Sequence, residues 1–382
     1  MLRKCQILVQ NDLRNCLTYS RVGGQFCKSL WTNRWRLQSV SIAVFGIIVT
    51  WIFYSLLLFS SCSLNSHDIP LSQRSICLIT RGEFRGEREF AERIRIACEN
   101  LRWGVEIADI ALPPLSSRSY DWVLTLVPGR SFKSSNNDYL VLFDPVHHYF
   151  NQDGRLNGDF HYYAGYLATY KNTNLLLADI EYQPKRLYPK EWYPTVQYRP
   201  YQKVTPTRLF YFIGHWGNRR DDMKYQLLQK ELAQKKYTNV FGNPAQGIVY
   251  GDAFQGAIDY DGESVINCIT EMGVCLVLHS ETHLQHKIPS GRIFEAAAAS
   301  AVIISDLNPF VIEHFGDSVL YVDQELSGVQ MAEQIDVHMV WIQNHPEEAL
   351  MMSQRAHQIF EERFLLENQL LDFDHYHRTK HH

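Results

Sequence analysis

From residue 75 onward, short apolar runs alternate with stretches whose apolar residues recur at helical spacing. "SICLIT" (75–80), "GVEIADI" (104–110), "DWVLTLVP" (121–128), "YLVLFDP" (139–145) and "TNLLLADI" (173–180) read as buried strands. Between the first two, "GEREFAERIRIACENLRW" (86–103) spaces Phe90, Ile94, Ile96, Ala97 and Leu101 as a helix does. Runs that are apolar on both faces suit a parallel sheet covered by helices, so the pattern predicts an α/β fold.

The alternation breaks once. "LYPKEWYPTVQYRPYQKVTPTR" (187–208) is rich in proline and tyrosine and has no period. It divides the chain into a domain over 75–190, a linker over 191–206 and a domain over 207–345. "LFYFIG" (209–214) restarts the strands, followed by the helix "MKYQLLQKELAQKK" (223–236). The strand "TNVFG", the helix in "GESVINCITEMG", the strand "VCLVLHS" and the strand "AVIISD" complete the second domain. A long amphipathic helix over 347–373 is expected in the closing segment, 346–382.

Upstream, residues 40–59 ("VSIAVFGIIVTWIFYSLLLF") carry no charge over the length a helix needs to span a bilayer. Arg3, Lys4, Arg14, Arg21, Lys28, Arg34 and Arg36 precede it, against the lone acid Asp12. The positive-inside rule predicts a cytosolic tail (1–38), a single-pass anchor (39–60), a stalk (61–74) and both α/β domains on the far side. The reverse topology, with those domains on the cytosolic face, is the alternative. Near-balanced charge, 37 basic against 41 acidic residues, gives no footprint for nucleic acid. The eight cysteines form no CxxC pair, so neither a zinc site nor a disulfide framework is expected.

The chemistry concentrates in "HKIPSGRIFEAAAASAVIISD" (286–306). A helix start offers unpaired N–H groups to an anion, and Ser290-Gly291 lets the backbone approach it closely. Arg292 supplies a forked donor and Lys287 a point charge, while Glu295, one turn on, suits ribose hydroxyls. Gly214, Gly217 and Arg219 in "GHWGNRR" form a second candidate phosphate turn. In "HSETHLQH", His279 ends a strand where it can face a donor phosphate. With His283 and His286 it has the spacing of a zinc site on a helix, but the segment reads as a loop lining the cleft. Asp144, His147 and His148, after a strand of the first domain, are candidates to bind or deprotonate an acceptor. Asp259 and Asp261 have the Asp-x-Asp spacing of a metal site, or cap the helix that follows.

"GRIFEAAAASAVIISD", followed by "PFVIEHFGDSVLYVD", resembles the donor-binding region of GT-B glycosyltransferases, particularly group 1 and CgeB-like sequences. "LFYFIGHWGNRR" is similar to the first strand and loop of their C-terminal domain, and "EWYPTVQY" to the interdomain crossing. The last helix is similar to the one that returns to the N-terminal domain. The resemblance implies two Rossmann-like domains behind the anchor and transfer of a sugar from a nucleotide-sugar donor. The acceptor would be a glycan, lipid or protein, with no cofactor and no metal. A catalytically inactive binding relative and a metal-dependent GT-A transferase using Asp259 and Asp261 are the rival readings.

Overall fold

The computed structural model describes residues 74–81, 85–110, 119–127, 136–142, 149, 163–169, 187–213, 222–243 and 250–380. The chain divides into two units, Met1–Ile69 and Pro70–His382, and every described residue belongs to the second. The apolar segment 40–59 lies outside them. Among the described residues no helix is long and apolar enough to cross a membrane.

Two parallel sheets form the second unit. The first contains β1 (Ser75–Thr80), β2 (Gly104–Asp109), β3 (Trp122–Thr125), β4 (Asp138–Leu142) and β5 (Gly165–Ala168), in the order β2-β1-β3-β4-β5. Helix α1 (Arg85–Asn100) links β1 to β2 and buries Phe90, Ala91, Ile94, Ala97 and Cys98 against Ile76 and Leu78. Strand β5, "GYLA", escaped the sequence reading because it offers a single large aliphatic residue. The predicted strand at 173–180 lies outside the described residues.

The second sheet contains β6 (Arg208–Ile213), β7 (Thr238–Gly242), β8 (Phe254–Gly256), β9 (Gly273–Val277), β10 (Val302–Asp306) and β11 (Val319–Val322). Their order is β11-β10-β9-β6-β7-β8, parallel throughout. Counted from β6, that is the doubly wound order 3-2-1-4-5-6, which reverses between β6 and β9. Helices α2 (Met223–Ala233) and α7 (Gly328–Asn344) cover one face. Helices α3 (Ser264–Met272), α5 (Gly291–Ala298), α6 (Pro309–Phe315) and α8 (Pro346–Arg363) cover the other. Along β6 the side chains alternate accordingly, Leu209, Tyr211 and Ile213 facing one layer and Phe210 the other.

Gly273 turns the chain from α3 into β9 at φ +78°, and a Cβ there would stand 2.7 Å from the Thr205 carbonyl oxygen. Only glycine adopts this conformation freely. Gly273→Ala is expected to cost about 3 kcal/mol, combining left-handed strain with overpacking. A urea unfolding midpoint equal to the parent's would contradict this.

The crossing segment between the sheets is neither helix nor strand over 191–207, and it is anchored along its length. Trp192 and Val196 are buried, and the Gln197 side-chain amide donates to the Gly262 carbonyl at 3.0 Å. The single long helix expected over 347–373 is instead two, α8 and α9 (Leu366–Lys380). At the break Phe364 packs among Tyr193, Phe294, Phe310 and Phe315, and the Leu366 N–H donates to the Val196 carbonyl, 3.1 Å away. An unbroken helix would have carried both away from the crossing. Beyond the break, α9 returns to the first sheet, burying Leu366, Leu370 and Phe373 against it.

Candidate donor site at the start of α5

Helix α5 begins where the sequence reading placed it. The Ser290 hydroxyl caps it, accepting from the Arg292 N–H at 3.3 Å. Gly291 is required by close approach, since a Cβ there would lie 3.1 Å from the Pro194 carbonyl of the crossing. From Ile293 to Ala298 every residue is buried. Its alanines let α8 pack close enough for the His357 ring to reach the Ala297 carbonyl at 2.9 Å.

Arg292 lies 4.6 Å over the ring of Phe212 and 5.6 Å from that of Phe210, both on β6. One turn on, it pairs with Glu295. The Glu295 carboxylate is only 5% exposed and has a second cationic partner, Arg93 of α1. Arg93, 3% exposed, is in turn held by Glu89 at 2.7 Å. The second Glu89 oxygen accepts from the Gly262 N–H at 3.0 Å. Burial by itself would raise the Glu295 pKa, but Arg292 and Arg93 outweigh it and hold the carboxyl below its usual range. Burial likewise works against the Arg93 charge, and Glu295 and Glu89 overcome it.

This network is what the sequence reading missed. Glu89 and Arg93 show the i, i+4 spacing of a helical ion pair, a signal that does not distinguish a solvated pair from one buried against another domain. Glu295 is therefore a tie between the two sheets as well as a candidate ribose ligand.

His279 lies just beyond β9, on one side of the point where the strand order reverses. Its Nδ1 is 2.6 Å from Asp306 Oδ1, and its backbone N–H donates to Asp306 Oδ2 at 2.5 Å. Lys287 is the exposed, left-handed C-cap of α4 (Glu281–His286), three residues before Ser290. The expected loop over 279–286 is thus partly helical, because Ser280 caps it by accepting from the His283 N–H. His283 Nδ1 faces the Ser280 hydroxyl at 2.5 Å.

Asp261 acts as a cap, accepting from the N–H groups of Glu263 and Ser264 and from the Ser264 hydroxyl. Burial opposes its charge, but these donors hold its carboxyl below the usual range. Gly214, Gly217, Arg219, Asp144, His147 and His148 lie outside the described residues. Of the strands that lead to them, β6 ends at Ile213 and β4 at Leu142.

Residues 219–373 match the family described as glycosyl transferase-like. The resemblance read from "GRIFEAAAASAVIISD" is borne out there, and so is the enzyme class, glycosyltransferase; a CgeB-like subtype is not singled out. No curated protein matches the chain. Among solved structures the chain is similar to HepE of Anabaena in complex with UDP and glucose. The identity is 10% and the TM-score 0.49, over 78% of this chain and 98% of that one. It is similar to sucrose-phosphate synthase of Thermosynechococcus elongatus at 13% identity and TM-score 0.49, over 80% and 98%. A glycosyltransferase from Rickettsia africae aligns at 11% and 0.47, over 80% and 98%. The enzyme class rests on the match over residues 219–373 and not on these structural likenesses.

Proposed function

We propose that this chain, whose residues 219–373 form a glycosyl transferase-like domain, moves a sugar from a nucleotide-sugar donor to an acceptor hydroxyl. What carries the reading is that the matched region contains an arginine, a carboxylate and a capped helix start together on α5. These are the groups a nucleoside diphosphate calls for. Arg292, Lys287 and the first N–H groups of α5 neutralise the departing diphosphate. Glu295 orients the ribose. A carboxylate has about four lone-pair sites, so two guanidiniums do not exhaust it.

Acceptor chemistry falls to the first domain, where Asp144, His147 and His148 follow a strand's C-terminal end. A histidine there suits removal of a hydroxyl proton near neutral pH. The acceptor is a glycan, a lipid or a protein. Residues 40–59 anchor the enzyme in a membrane, with the basic tail in the cytosol and the catalytic domains on the far side.

Arg292→Gln is the direct test of the donor site. Removing a charged hydrogen-bond partner costs about 1.5–3 kcal/mol, roughly 10- to 150-fold in affinity for UDP or GDP sugars measured by calorimetry. Unchanged affinity would remove α5 from the donor site. Glu295→Ala is a poorer probe, because it also strands Arg93 in the interdomain network.

A further inference from the structure

We infer that His279 reads a hydroxyl of the transferred sugar through Nε2, as a hydrogen-bond acceptor whose tautomer Asp306 sets. The inference rests on the nucleotide-sugar reading above and deepens it.

Both oxygens of Asp306 point at His279, one to the backbone N–H and one to Nδ1. A carboxylate oxygen only accepts, so Nδ1 carries a proton. In the neutral ring Nε2 then holds a lone pair. Nε2 is buried and has no hydrogen-bond partner among the described residues. A buried polar atom of this kind calls for a partner.

Its position says where the partner lies. His279 leaves the C-terminal end of β9, and Asp306 is the last residue of β10. The ring is thus held from the β10 side, with Nε2 turned from Asp306 toward the reversal between β9 and β6. In doubly wound sheets ligands bind at that crevice.

The chemistry of the partner follows from the lone pair. A phosphate oxygen is itself an acceptor and cannot bond to it, so the expectation that His279 faces phosphate gives way to a donor. Within a nucleotide sugar the donors near the diphosphate are the hydroxyls of the ribose and of the sugar. The ribose is assigned to Glu295 on α5. The sugar remains.

The test uses the purified full-length chain and measures affinity for UDP-glucose, UDP-galactose, UDP-N-acetylglucosamine and GDP-mannose, and for free UDP and GDP. The sugar nucleotide that binds best is then compared with its deoxyfluoro analogues, in which fluorine cannot donate. For the parent, one analogue is expected to bind at least tenfold more weakly. Asp306→Asn retains both contacts, with its carbonyl facing the backbone N–H and its NH₂ donating to Nδ1. That moves the ring proton to Nε2 and removes the lone pair. His279→Phe is expected to lose tenfold or more for the sugar nucleotide and to be indifferent to the fluorine, Asp306→Asn, whose Nε2–H can still donate to the hydroxyl oxygen, to lose less, and both to bind the free nucleoside diphosphate as the parent does.

Equal losses for nucleotide and sugar nucleotide would place Nε2 against phosphate or ribose and overturn the inference. So would a parent that tolerates fluorine at every position. Should melting curves show that neither variant folds, the parent's analogue series decides alone. A parent that binds neither nucleotides nor sugar nucleotides would overturn the donor-site reading itself, and the role of His279 with it.

Discussion

Arg93→Ala is expected to lower stability by about 3–5 kcal/mol, read as a fall in the urea midpoint, although Arg93 lies outside the helix that forms the candidate site. The size follows from what is left behind. Arg93 neutralises Glu89 on its own helix and Glu295 on α5, and all three side chains are buried. Truncation leaves two buried carboxylates, with Arg292 as the remaining cation beside Glu295. Such groups cannot recover their hydration without opening the protein. Both carboxylates meet the same terminal guanidinium nitrogen, and Arg93→Lys keeps the charge but not that nitrogen's position between them, so a partial loss is expected. A midpoint for Arg93→Ala within error of the parent's would show that the network is solvated and does not join the domains.

Phe373→Ala should be comparably costly, about 3–5 kcal/mol for a fully buried aromatic. Phe373 is the centre of the contact by which α9 closes the first domain. Its ring meets Trp122, Tyr139, Tyr188 and Trp192 edge to face, at centroid distances of 4.9–5.9 Å. Polar contacts surround that aromatic core. Asp374 takes Arg74 Nε at 3.2 Å and Trp122 Nε1 at 3.3 Å, and Glu367 accepts from the Tyr198 N–H at 3.0 Å. Because α9 covers the first sheet, truncation before residue 366 should expose that sheet's aromatic face. Unfolding of Phe373→Ala at the parent's urea midpoint would mean that α9 merely rests on the surface.

Much of this was legible because parallel strands are apolar on both faces. "SICLIT", "LFYFIG", "VCLVLHS" and "AVIISD" could hardly be anything else, and each is a strand of the predicted type. The helix start at Ser290-Gly291 was legible for a related reason, since cap and close approach both act within a few residues. What escaped is non-local. The break between α8 and α9 depends on Phe364 finding four aromatic rings from distant segments, while the sequence there remains helix-compatible. The pairing of Arg93 with Glu295 spans 202 positions, and nothing local marks it. The link between His279 and Asp306 joins two strand ends, each visible separately as a polar residue closing an apolar run.

The central claim is that the chain transfers sugar from a nucleotide donor through the site at α5. Turnover of radiolabelled UDP and GDP sugars by the purified full-length chain tests it most directly, measured with and without a chelator and beside Arg292→Gln. The account predicts release of labelled sugar or its transfer to an added acceptor, resistant to the chelator and lost or strongly reduced in Arg292→Gln. Absence of turnover with every donor, or turnover that Arg292→Gln leaves at the parent rate, would contradict it.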